Sequence, residues 1–160
     1  PSRSVIDMSV ETMARLAELK NIAGVKDATG DLSRVEKTLK LIGKNFIQLT
    51  GEDNNALEFN KLGGLGCISV TANVAPKLCS EFQKKTLERN DSNSQKRAKE
   101  INSILSPLHK ALFVESNPAP VKYAASLLKI SPDEVRLPLI KVTDSTKIAI
   151  KNALNIANLL

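Results

Sequence analysis

Asn21-Ile22-Ala23-Gly24-Val25-Lys26-Asp27-Ala28-Thr29-Gly30 is the stretch on which the fold turns. Ile22 to Val25 is apolar without alternation and is followed by a helical pattern, which predicts a buried parallel strand over Ile22–Lys26. Asp27 to Gly30 are turn residues, and a helix is expected from near Asp31. Lys26 then stands where a strand delivers its last side chain to the top of an α/β sheet or barrel, the face that carries chemistry in such folds. Burial there would disfavour the ammonium form and leave a neutral amine able to attack a carbonyl. A lysine that snorkels from the strand end into water fits the same spacing, and spacing by itself leaves both open.

Outward from this stretch the chain alternates. Ser9 is placed to cap a helix carrying Met13, Leu16 and Ala17. Leu32, Val35, Leu39 and Ile42 form one face of a second helix that should stop at Gly43. Phe46–Thr50 is a second expected strand, and Asp53 is expected to cap a third helix closing at Gly63-Gly64. Cys67–Val70 is a third short strand, followed by a helix with Val74, Leu78 and Phe82. The polar run Asn90–Ser94 ends the strand signal, so the boundary is set there: 1–90 as part of a barrel, 91–160 as a helical domain. Beyond it Ala98, Ile101, Leu105, Leu108 and Leu112 make an apolar stripe, with Pro107 expected to kink it. Asn117-Pro118 resembles an N-cap with proline in the first helical position, and the last helix should begin near Asp144.

Composition narrows the function classes. The chain has 160 residues, 42% hydrophobic and 25% charged, within the norm for a soluble globular domain. No apolar run approaches the roughly 20 residues of a membrane span, so no membrane role is expected. The net charge of +6 is spread among acidic residues, and with no Trp and one Tyr there is little to stack bases on. Nucleic-acid binding is therefore not expected. Cys67 and Cys79 lack metal-site spacing and read as free thiols of a reduced cytoplasm, with no metal and no organic cofactor. Three strands cannot close a (β/α)8 barrel, which needs at least about 200 residues. The chain opens on Pro1 rather than Met, and the expectation is the C-terminal part of a longer α/β barrel.

Gly24-Val25-Lys26-Asp27-Ala28-Thr29-Gly30 resembles the Schiff-base segment of the dihydrodipicolinate synthase family, class I aldolase-type enzymes of lysine and diaminopimelate biosynthesis. Pro1-Ser2-Arg3 resembles the end of that family's Tyr-Asn-x-Pro-x-Arg motif. Thr50-Gly51-Glu52-Asp53, Gly63 to Asn73, Asn117 to Lys122 and Leu137-Pro138-Leu139 match further family motifs in family order. The resemblance implies a C-terminal part of a (β/α)8 barrel in which Lys26 condenses with pyruvate. It implies that Arg3 holds the carboxylate of aspartate semialdehyde, that Ile68 contacts pyruvate, and that Gly51 contributes backbone at the mouth of the second strand. It also implies a cytoplasmic homo-oligomer, a tetramer, with a separate N-terminal half as a further possible partner. The family's tyrosine proton donor, its carboxylate-binding threonines and its lysine-feedback residues match nothing in this sequence. Asp27 is expected to cap its loop rather than act as a base. His109 is expected to be structural, and Tyr123 matches no family site. An N-acetylneuraminate lyase-like or keto-deoxy sugar acid aldolase is the alternative within the superfamily. A catalytically incomplete piece with only an assembly role is the alternative outside it.

Overall fold

The computed structural model describes residues 5–160. Ser9 adopts an extended conformation and its hydroxyl accepts from the Thr12 amide at 3.1 Å, starting helix α1 (Val10–Ala17) as its cap chemistry requires. Strand β1 (Gly24–Asp27) follows, two residues later than its apolar run suggests. Helix α2 (Ser33–Ile42) comes next and ends at Gly43, whose φ of 99° suits a residue without Cβ. Strand β2 (Ile47–Thr50) pairs in parallel with β1, placing Gly24 opposite Ile47 and Lys26 opposite Leu49.

The expected third strand is reduced to a single parallel bridge, Thr50 to Cys67. The chain does run beside β2: Leu65 N–H donates to Gln48, Thr50 N–H to Gly66, and Ile68 N–H to Thr50 at 2.9 Å. After Ile68 it is drawn off the sheet. The Asp53 carboxylate accepts from the Ser69 hydroxyl and from the amides of Val70 (2.9 Å) and Thr71 (3.2 Å), curling the chain into a 3₁₀ turn at Thr71–Asn73. Asp53 therefore does not cap the third helix as expected. It opens a 3₁₀ turn, Asp53–Asn55, ahead of α3 (Ala56–Lys61), which has no side-chain cap.

Helices α4 (Pro76–Leu87) and α5 (Ser92–Ala111) pack along each other. Asp91 caps α5 by accepting from Asn93 and Ser94, so the expected polar loop is shorter and its last residues are already helical. Pro107 lies within α5, which continues past it. Helix α6 (Ala119–Leu127) starts one residue after Pro118, leaving Asn117 outside the cap position expected of it. Helix α7 (Asp144–Ile156) begins where its sequence pattern does. Ile101, Leu105, Leu108, Leu112, Ile150 and Leu154 are fully buried, each side chain contributing about 1.5–3 kcal/mol of transfer free energy. Ala56, Val74 and Phe82 belong to the same cluster, so one apolar core joins the two sides of residue 90.

Candidate active site

Parallel pairing sends the carboxyl ends of neighbouring strands to one edge of the sheet, and that edge gathers the predicted residues. Asp27, Thr50 and Cys67 form one row of the register. Lys26 lies one residue before that row; Gly51 and Ile68 lie one residue after it. Gly51 N–H donates to the Asp27 carbonyl at 2.7 Å. A Cβ on Gly51 would stand 2.7 Å from Lys26 Cε and 2.8 Å from Ala28 Cβ, both closer than van der Waals contact allows. The absence of a side chain at Gly51 thus leaves the space that the lysine stem occupies. Ile68 is half-exposed, its backbone tied to the end of β2. Arg3 lies outside the described residues.

Lys26 itself is exposed, contrary to the burial expected at a barrel strand end. Among the described residues, two strands and a bridged segment cover only part of the surroundings that a closed barrel would provide, so water reaches the amine. A cavity of about 150 Å³ opens beside it, lined in part by Met13, Lys26, Asp27, Thr29 and Arg34.

Asp27 is fully engaged. One carboxylate oxygen accepts from the Thr29 amide (2.8 Å) and hydroxyl (2.7 Å), and the other from Arg34 Nε at 2.7 Å. Burial pushes its pKa up, but the Thr29 hydrogen bonds and the Arg34 guanidinium outweigh that and hold it below the ordinary 3.8. This is a loop-capping carboxylate, as its sequence context suggests, with both oxygens committed to Thr29 and Arg34.

The thiols are equally unsuited to nucleophilic work. Burial, then the nearby Asp53 carboxylate, pushes Cys67 up to about 12 and Cys79 to about 11. Both are free. His109 is buried in α5 with Nδ1 at 2.7 Å from Thr71 Oγ1, a packing role rather than a place at the sheet edge. Tyr123 packs against the helical core. Among the described residues no three His, Cys, Asp or Glu side chains cluster as metal ligands, and no helix is long and apolar enough to cross a membrane.

Sequence reasoning passed over Arg34 and misjudged Asp53. Arg34 had a legible signal: a cation in the first turn of a helix opposes the helix dipole and calls for a partner. Asp53 had none, because its donors lie 16 to 18 residues further on.

The model of the dihydrodipicolinate synthetase family matches residues 1–157. The 4-hydroxy-tetrahydrodipicolinate synthase of Pelagibacter ubique is 63% identical over the whole of this chain and 54% of its own length. That of Methylobacterium radiotolerans is 56% identical over the whole chain and 52% of its own length. The dihydrodipicolinate synthase structure from Aquifex aeolicus superposes with a TM-score of 0.92 at 37% identity, covering 99% of this chain and 53% of that one. A chloride-inhibited dihydrodipicolinate synthase from Acinetobacter baumannii, solved with pyruvate, gives 0.89 at 38% identity, covering 96% of this chain and 52% of that one. The chain spans about half the length of the curated relatives it matches, and corresponds to their C-terminal half. Its architecture is accordingly the C-terminal part of a (β/α)8 barrel with the helices that follow it.

Proposed function

From the premise that the chain belongs to the dihydrodipicolinate synthetase family, we propose that it is the C-terminal half of a 4-hydroxy-tetrahydrodipicolinate synthase. In this reading the Lys26 amine attacks the ketone carbon of pyruvate, and loss of water gives an iminium. The iminium nitrogen is an electron sink: a proton leaves the pyruvate methyl group, and the resulting enamine carbon attacks the aldehyde of aspartate semialdehyde. The chemistry asks for no metal or organic cofactor, because the iminium does the polarising. Arg3 holds the semialdehyde carboxylate through the parallel hydrogen bonds that a guanidinium fork provides. Ile68 and the Gly51 backbone flank pyruvate. The carrying observation is the fit of Gly51 around the Lys26 stem at the carboxyl edge of the sheet.

Arg3, together with Asp27-Ala28-Thr29-Gly30, favours the synthase over a neuraminate-type or sugar acid aldolase. Exposure of Lys26 favours a site finished by the remaining strands of a barrel, either in the same polypeptide or in a separate N-terminal half. Two free thiols fit a reduced cytoplasm, and the family resemblance favours a homotetramer.

The test is reductive trapping in the complete synthase that contains this sequence. Pyruvate with borohydride should leave a stable adduct on Lys26, located by peptide mass mapping. A label on another lysine, or an active Lys26→Ala variant, overturns the assignment.

A further inference from the structure

Arg34 is the second residue of α2, where its charge opposes the helix dipole, yet its side chain is only 12% exposed. Its guanidinium is spent in three directions. Nε donates to the Asp27 carboxylate at 2.7 Å, Nη1 to the Asp7 carboxylate at 3.1 Å, and Nη2 to the Met8 carbonyl at 2.6 Å. One end of this span grips the residue after Lys26. The other grips the segment that enters α1, four residues beyond Arg3 in sequence.

We propose that Arg34 is a positioning residue that ties the Asp7–Met8 segment, the arm that enters α1, to the strand end carrying Lys26, and, since Arg3 lies four residues before Asp7 in sequence, governs productive binding of the second substrate's carboxylate. The inference rests on the synthase reading, in which Lys26 forms the imine and Arg3 receives that carboxylate. A planar fork with donors on separate edges can serve both sides at once; a lysine ammonium on a flexible stem cannot hold the same span. Asp27 needs Arg34 less than the arm does. Its other oxygen is already secured by Thr29, whereas Asp7 is 53% exposed, and Arg34 is the one ion-pair partner the described residues give it. Loss of Arg34 therefore frees the arm first and leaves Lys26 in place. That asymmetry separates positioning of the second substrate from general damage to the site.

The experiment compares wild type, Arg34→Gln and Asp7→Lys in the complete synthase, reading borohydride-trapped pyruvate on Lys26 alongside steady-state kinetics in aspartate semialdehyde. For Arg34→Gln the expected result is wild-type trapping, a KM for the semialdehyde raised about tenfold or more, and a kcat within threefold. Asp7→Lys sets an ammonium against the guanidinium at a half-exposed site, and should raise the same KM at least threefold. It carries the test if Arg34→Gln melts too early to assay. Unchanged KM in both variants, or trapping that falls in step with it, overturns the inference. No trapped adduct in the wild type overturns the synthase reading and takes this inference with it.

Discussion

Lys26 and Gly51 are a matched pair, and the match is steric. A methyl group at Gly51 has two neighbours inside contact distance, Lys26 Cε and Ala28 Cβ. The Lys26 stem can swing aside, but Ala28 is fixed to the backbone of the turn. Gly51→Ala should therefore displace the lysine from the sheet edge and strain the turn, at an overpacking cost of about 1–3 kcal/mol. The expected outcome is at least a tenfold drop in pyruvate trapped on Lys26, read by mass spectrometry, with a smaller loss in melting temperature. Undiminished trapping in Gly51→Ala would mean that the amine works from another position. Lys26→Arg should abolish trapping altogether, because a guanidinium stays protonated and forms no imine.

Elements of this chain were legible in proportion to how local their causes are. Ser9 caps α1, Gly43 ends α2 and α7 opens at Asp144 because each is decided within one turn of helix. The third strand was overestimated because its end is decided by Asp53, a residue 16 positions earlier whose carboxylate draws Ser69, Val70 and Thr71 away from the sheet. The candidate site was legible as an order of motifs along the chain, and the register of β1 and β2 brings Lys26 and Gly51 together. The exposure of Lys26 was not legible, since it depends on how much of a barrel surrounds the strand. The Asp53 bonds also yield a stability test. Asp53→Ala leaves two amides and a hydroxyl without their acceptor in a mostly buried place, a cost of about 1–3 kcal/mol for each group left unsatisfied. Urea unfolding should show a midpoint lowered well beyond that of Ser9→Ala, whose lost cap costs about 1 kcal/mol. Similar midpoints for the two variants would show that the Asp53 turn is not a stability element.

At the scale of the whole molecule, the same buried polar chain joins the barrel part to the helices. His109 of α5 meets Thr71 beside the Asp53 turn, and its Nε2 has no partner among the described residues. Burial pushes the His109 pKa below the ordinary 6.5, with the Asp53 carboxylate pulling the other way. Between 6.5 and that lowered value the unfolded chain binds more protons than the folded one, so stability is full above 6.5 and declines as pH falls through the window. The lowered carboxylate of Asp27 keeps its contribution above 3.8 and loses it only as pH falls below that value. Exchange of the His109 ring C2 hydrogen, read by peptide mass, should give a midpoint below 6.5; a midpoint above it overturns the burial argument. The open sheet sets the last expectation: the 160-residue chain made alone should not catalyse the condensation. Among the described residues, one bridge is formed beyond the β1–β2 pair, which leaves strand edges there without partners. Ile47, Leu65 and Ile68 are each more than 40% exposed, apolar surface that drives association. Lys26 stands exposed to water, without the enclosed, water-excluding site that the condensation calls for. The resemblance sets the tyrosine proton donor and the pyruvate-binding threonines outside this sequence, and each general acid–base contribution is worth about 10² to 10⁴ in rate. An assay coupled to the reductase that consumes the product, run beside light scattering, should find no turnover and a self-associating species. Activity that returns on mixing with the N-terminal half of a relative would support a site completed by the rest of the barrel, whereas a monodisperse chain turning over unaided would show that Lys26 needs none of it.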